Sequence, residues 1–354
     1  MKPLNSYIES TIDPDVSSIT ASKIRQGCLT KPPGSLGKVE DLSIRLAGIY
    51  RTSTPMIGRK MIFTMAADHG ITEEGVSAYP SEVTAQMVMN FANGGAAINV
   101  LAKHVDAEIK VIDVGVKSET EWPPSIIRKK VKHGTDNFAI GPAMTHDEAR
   151  MVIEIGAELA ESAVADGVNA IAIGDMGIGN TTAASAITSV VTGRSVSDVT
   201  GRGTGIDDTR LAAKVAVVER SLRLNSPDPY DGLDVLSKIG GLEIGGLAGI
   251  IIGAAASRVP VFLDGFVSSS AALIADVISP KCRSYMIASH LSVEPGHAIL
   301  LRHLDLLPLL DLNMRLGEGT GAALAMSIAE ASCKILRDMA TFEGAKVSKS
   351  IKEV

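Results

Sequence analysis

The segment with the sharpest chemical signature is Met314-Arg-Leu-Gly-Glu-Gly-Thr-Gly321, which sets one carboxylate, Glu318, among glycines and small residues just before an apolar helix. A carboxylate in that setting is partly desolvated, which raises its pKa toward that of a useful general base. The same placement suits a side chain that only interacts with the first helical turn, where the macrodipole favours negative charge, and the residues alone leave the two readings even. A second candidate is Gly174-Asp-Met-Gly-Ile-Gly-Asn-Thr-Thr182, which follows an aliphatic run and opens an Ala/Ser-rich helix. Glycines, hydroxyls and free N–H groups at a helix N-terminus make an anion cradle. Its spacing matches neither the Walker A loop nor the dinucleotide fingerprint, and a strand-to-helix turn needs glycine for steric reasons about as often as for a ligand. A third is Thr200-Gly-Arg-Gly-Thr-Gly205 with Lys214 downstream, whose ammonium can neutralise a phosphate held by both loops. Taken alone, that stretch reads more simply as a surface loop followed by a solvated helix lysine.

Ala67-Asp-His-Gly-Ile-Thr-Glu-Glu-Gly-Val-Ser-Ala-Tyr-Pro-Ser81 carries Tyr79, which together with Gln86 and Met87 can wall a flat ring, although core packing explains Met87 equally well. Histidines 69, 290 and 297 stand near strand ends without an HxH, HExxH or clustered-carboxylate pattern, so structural hydrogen bonding is their stronger reading and a metal site is not expected. No strand ends in paired acidic residues followed by a Thr/Gly-rich loop, the arrangement that binds phosphoribosyl pyrophosphate with magnesium. If ribose phosphate is transferred, its donor is not a pyrophosphate.

These loops need elements to hold them. From Met61 onward, short aliphatic runs end in Gly, Asp or His: MIFTMAADHG, EIKVIDVGV, AIAIGDMG, VPVFLDG and RSYMIASH. They read as buried parallel strands. Helix-compatible segments alternate with them, including 81–91, 145–166, 181–192, 214–225 and 246–257. This pattern predicts an α/β fold with a doubly wound, mostly parallel, Rossmann-like sheet. In such sheets ligands bind outside the carboxyl ends of the strands, here marked by Asp68-His69-Gly70, Asp175-Met176-Gly177 and Asp264-Gly265. Residues 1 to about 60 read instead as helices, 17–26 and 38–50, joined by the rigid loop Lys31-Pro-Pro-Gly-Ser-Leu-Gly. The last helix, 319–339, is followed by a polar tail after Phe342 that is expected to fray.

A chain of 354 residues is large for one compact core. Aromatics are only 3% of the chain, so the core must rely on aliphatic side chains and close backbone packing. A net charge of −6 without a basic run argues against nucleic acid as a partner. Three scattered cysteines suggest no disulfide framework and point to a reducing cytoplasm. The N-terminal residues lack the apolar core of a signal peptide, and the longest uncharged apolar stretch, 244–257, is too short to span a bilayer. A secreted or membrane-embedded protein is therefore not expected.

LTKPPGSLGKVE, ADHGITEEGVSAYPSEVTAQMV, GDMGIGNTT, DGLDVLSKIGG, LDGFVSSSAAL and MRLGEGTGAALAM, in this order, resemble the nicotinate-nucleotide:dimethylbenzimidazole phosphoribosyltransferase family over about residues 20–340. The resemblance implies transfer of ribose 5-phosphate from nicotinate mononucleotide to a benzimidazole-type base in cobalamin biosynthesis, with no cofactor. It implies Glu318 as the proton acceptor and Asp175 as the residue facing the ribose or the charge that develops there. Gly177, Gly203 and Lys214 would hold the 5-phosphate, and Tyr79, Gln86, Met176 and Leu316 would surround the base. The family pattern usually has Glu where this chain has Asp175. It also implies a homodimer and two domains: a small helical one from residues 1–60 plus about 325–354, and a large α/β domain, 61–324, carrying the active site. Alternatives within reach of the same motifs are another acceptor, such as a phenol, adenine or water, and a nucleotide-binding protein without turnover.

Overall fold

The structure, a computed structural model, describes residues 2–348. Residues 349–354, the end of the segment expected in the small domain and of the expected frayed tail, lie outside the described residues. Six strands form one sheet: β1 (Arg59–Ala67), β2 (Ala107–Gly115), β3 (Ile126–Arg128), β4 (Val168–Met176), β5 (Val261–Leu263) and β6 (Met286–Ala288). Their order is β3-β2-β1-β4-β5-β6 and every pairing is parallel. The chain winds outward in one direction through β2 and β3, then returns to the other side of β1 at β4. The carboxyl ends of β1 and β4 therefore flank the point where the winding reverses, and ligands of such sheets bind at their carboxyl edge. A short parallel pair, β7 (His290–Leu291) with β8 (Leu310–Asp311), lies just beyond β6.

Period-2 alternation along the strands feeds a separate core on each face. Met61, Phe63 and Met65 of β1, Ile171 and Ile173 of β4, and Val261 and Leu263 of β5 join one cluster with helices 146–165, 242–256 and 266–278. Ile62 and Ala66, Ala170 and Ala172, and Phe262 point the other way, toward Ala322, Ala323, Ala325 and Met326 of helix Thr320–Asp338. The scarcity of aromatics is met by close approach of backbones. A Cβ on Gly156 of helix 146–165 would lie 1.9 Å from the carbonyl oxygen of Gly246, so the two helices touch backbone to backbone there.

All five expected strands are present, and the expected helices agree to within a few residues except one. The helix around Lys214 begins earlier, spanning Asp208–Asn225, because Asp207 caps it by accepting from the Arg210 N–H. Helices 4–10, 97–104, 232–239, 266–278 and 295–303 and strand β3 went unrecognised in the sequence. At the N-terminus, helices Val16–Cys28 and Lys38–Tyr50 pack together and against helix 320–338. The two ends of the chain are stitched by Thr30 N–H donating to the Ala340 carbonyl at 3.0 Å and Phe342 N–H donating to that of Cys28 at 2.9 Å. Lys31, in the rigid loop, has its ammonium 2.7 Å from Glu40 Oε1, so its charge is answered within the loop and the helix it precedes. Among the described residues, no helix is long and apolar enough to cross a membrane.

Candidate active site

A cavity of about 560 Å³ opens at the carboxyl edge of the sheet, lined by residues that follow β4, β5 and β6. Its walls include Tyr79, Asp175, Met176, Gly177, Gly203 and Leu316, six of the nine residues singled out in the sequence. Tyr79 and Leu316 are more than half exposed at its rim. Gln86, on helix Glu82–Ala92, is exposed and not part of the wall, while Lys214 and Glu318 lie behind it. Asn180, Phe266, His290, Ser292 and Glu294, none of them assigned a site role from the sequence, also line the cavity. Asn180 and Phe266 lay within motifs already noted and His290 reads as a structural histidine near a strand end; Ser292 and Glu294 lie on a stretch whose position only folding reveals.

Lys214 is not the solvated lysine of the simpler reading. It is 1% exposed, and its ammonium donates to Thr181 Oγ1 at 3.0 Å and to the Gly201 carbonyl at 3.4 Å. Burial pushes its pKa down to about 8, against the pull of the nearby Glu294 carboxylate. A Cβ on Gly203 would meet Thr181 Oγ1 at 2.6 Å and the Lys214 ammonium at 3.4 Å, so the two glycine loops and the lysine converge on one spot. Gly177 N-terminal to helix 180–192 completes a group suited to a phosphate.

Glu318 directly follows Gly317, which lines the cavity. It is buried in left-handed backbone (φ 65°), flanked by Gly317 and Gly319 at φ 85° and 97°. A non-glycine residue held there signals a constraint imposed by its surroundings. The constraint is visible: Thr64 of β1 donates its hydroxyl to the Glu318 carbonyl at 3.0 Å, and the backbone of the loop lies on Gly174 of β4, where a Cβ would come within 2.2 Å of the Glu318 carbonyl carbon. Asp264, at the end of β5, accepts from the N–H groups of Gly319, Gly321 and Ala322 at 3.0, 2.7 and 3.2 Å. Asp264 thus caps helix 320–338, which removes the reading of Glu318 as that helix's own first-turn charge. Burial raises the pKa of Glu318, opposed by the Ile98 N–H at the start of helix 97–104 and reinforced by Asp264; Glu318 Oε2 is buried with no hydrogen-bond partner. Such a carboxylate is poised to take a proton.

Asp175 is the penultimate residue of β4 and faces Gly317, whose Cβ would meet its Oδ2 at 3.3 Å. Asn180 Nδ2 donates to its Oδ2 at 2.9 Å and the Ser268 hydroxyl to its Oδ1 at 3.2 Å. Burial, with the charges of Asp264 and Glu243, lifts its pKa to about 7 despite those hydrogen bonds. Below the Met176-Gly177 turn, His69 Nε2 is 2.7 Å from Glu243 Oε1, both fully buried. Burial opposes charge on His69, but Glu243 outweighs it and raises its pKa. Among the described residues, no group of three or more His, Cys, Asp or Glu is placed to hold a metal ion.

An anion cradle at the cavity, and a buried carboxylate with one partnerless oxygen on the loop that lines it, suit transfer of a phosphorylated group to an acceptor that must lose a proton. Comparison with known proteins agrees. Residues 12–347 match a family model described as phosphoribosyltransferase. The chain is 56% identical over 348 residues to nicotinate-nucleotide–dimethylbenzimidazole phosphoribosyltransferase of Chloroflexus aurantiacus, covering 97% of this chain and 99% of that one. It is 54% identical over 350 residues to the enzyme of the same name from Desulforudis audaxviator, covering 99% of each. The chain belongs to the nicotinate-nucleotide–dimethylbenzimidazole phosphoribosyltransferase family. A crystal structure of the family's member from Thermus thermophilus superposes with a TM-score of 0.90 at 44% identity, covering 95% of this chain and 100% of that one. The parallel sheet and the cavity at its carboxyl edge therefore belong to a phosphoribosyltransferase fold.

Proposed function

We propose that this phosphoribosyltransferase moves the ribose 5-phosphate of nicotinate mononucleotide onto 5,6-dimethylbenzimidazole or a related base. The products are α-ribazole 5′-phosphate and nicotinate, and the step belongs to cobalamin biosynthesis. The observation that supports this reading is the buried Glu318 carboxylate, one oxygen of it without a hydrogen-bond partner, on the loop that lines the same cavity as Gly177 and Gly203 of the cradle. Lys214 and the loop N–H groups hold the 5-phosphate and fix the ribose between the two sides. Glu318 takes the ring N–H proton of the incoming base while its other ring nitrogen attacks C1′. The C1′–N bond to nicotinate breaks, and its electron pair neutralises the pyridinium nitrogen, so the leaving group needs no proton. Attack opposite the departing ring inverts the β-nucleotide to an α-product.

Asp175 faces the ribose. Near pH 7 its carboxyl carries its charge only part of the time, which suits hydrogen bonds to ribose hydroxyls as well as support of positive charge at C1′. Tyr79, Met176 and Leu316 form an apolar slot for a flat base, with Gln86 on the adjoining helix reaching it from outside. Of the described residues, those within 1–60 and about 325–354 belong to the small helical unit and 61–324 to the large one, and the enzyme works as a homodimer in the cytoplasm. Light scattering of the purified protein tests the dimer. The reaction is tested by mass spectrometry after incubation with nicotinate mononucleotide and dimethylbenzimidazole in the presence of a chelator. α-Ribazole 5′-phosphate is the expected product; free ribose 5-phosphate, or unchanged substrate, overturns the reading.

A further inference from the structure

One carboxylate at the cradle is left over from this mechanism. Glu294 lies 7% exposed in the cavity wall, on the residue before Pro295, which opens helix Pro295–His303. Its pre-proline backbone is extended (ψ 125°), the conformation a following proline enforces. From there the side chain reaches across to the loop at 200–205, where its Oε1 accepts the Gly203 N–H at 3.0 Å. Its Oε2 is buried with no hydrogen-bond partner. A Cβ on Gly201 would lie 1.9 Å from that oxygen, so the glycine is what admits the carboxylate. An acid inside a phosphate cradle is chemically perverse unless it has a task. Glu294 and a phosphate draw on the same N–H donor and the same lysine, and two anions cannot crowd one donor without strong repulsion.

We propose that Glu294 is a specificity-determining residue: an internal anion that holds the Gly203 N–H and yields it only to a ligand carrying a dianionic phosphate-like group. A dianion outcompetes a single carboxylate for the loop N–H and for Lys214, whereas a nucleoside or a monoanion does not. The site would then reject dephosphorylated substrate by charge, before any contact with the base. The inference rests on the reading of Gly203 and Lys214 as phosphate ligands, and its test separates the two.

The probe is inorganic sulfate, a dianion across the relevant pH range, titrated calorimetrically at pH 6.5 in chloride buffer into the full chain and the variants Glu294→Gln and Lys214→Met. Glutamine keeps an oxygen for the Gly203 N–H but removes the rival charge, so sulfate should bind on the order of tenfold more tightly. Lys214→Met should weaken it on the order of tenfold or more. If Lys214→Met weakens binding while Glu294→Gln leaves it unchanged or weaker, the rivalry is overturned and the cradle stands. If Lys214→Met has no effect, the cradle reading itself fails, and the inference with it. A crystal structure of the unmodified chain with sulfate gives a check independent of any variant's folding. The Glu294 carboxylate should have left Gly203 N; a carboxylate still within hydrogen-bond distance of that nitrogen beside bound sulfate overturns the proposal.

Discussion

Lys214→Met should make this protein more stable at neutral pH while crippling its function. The ammonium is buried, and its pKa is depressed from 10.5 to about 8. A depressed folded-state pKa means that stability is fully present above the unfolded value and is lost as pH falls toward the folded one. At pH 7 the side chain is charged in both states, and holding that charge in the fold costs about 3 kcal/mol. Methionine has similar length and no charge to desolvate. It also gives up the hydrogen bonds to Thr181 and Gly201, which return about 1–2 kcal/mol of the gain. A net stabilisation of about 1–2 kcal/mol is expected from urea unfolding at pH 7 in chloride buffer, free of phosphate and sulfate, whose binding would stabilise the wild type. The decisive quantity is the difference between variant and wild type as pH changes, because every other titrating group cancels. By pH 9.5 the folded lysine is mostly neutral, and the gap should shift toward the wild type by about 2 kcal/mol. A gap that stays constant or moves the other way would refute the argument that burial, rather than pairing with Glu294, sets the state of this lysine.

Glu318→Gln should fold normally and bind nicotinate mononucleotide like the wild type, yet lose about 10²–10⁴-fold in kcat, read from nicotinate release by chromatography. Because burial lifts the carboxyl above its usual range, the acidic limb of the kcat profile should titrate above an ordinary glutamate and vanish in the variant. Gly174→Ala places a methyl 2.2 Å from the Glu318 backbone and should displace the loop. We expect a stability loss of about 1–3 kcal/mol in denaturant unfolding together with near-complete loss of activity, and retained activity would show that the loop position is dispensable. For Asp175 the folded pKa, about 7, exceeds the unfolded 3.8, so its contribution is present below the lower value and lost as pH rises through the higher one. Asp175→Asn should therefore be nearly neutral at pH 4 and stabilise by up to about 4 kcal/mol at pH 8, measured by thermal unfolding across pH.

The alternation of aliphatic runs with helical segments was enough to read the doubly wound sheet, because strand and helix periodicities are local and the runs at β1, β2, β4, β5 and β6 end in recognisable turn residues. The same locality made Glu318, Asp175 and the two glycine loops visible, since each lies in a short motif at a strand-to-helix junction. The elements that were missed, such as helices 97–104 and 266–278, have their character set by what they pack against. Three matters depended on tertiary contacts. Lys214 reads as a solvated lysine until helix 208–225 is laid against the cradle, because charge and spacing are the same in either environment. Glu318 could not be told from a helix cap until Asp264, 54 positions earlier in the chain, was found occupying that role. Glu294 lies 91 positions from the Gly203 N–H it accepts and carries no motif. Sequence determined which groups exist and which local turns carry them. Only the fold decided which of them lose water and which donor each one faces, because desolvation and pairing are properties of neighbours brought together from distant parts of the chain.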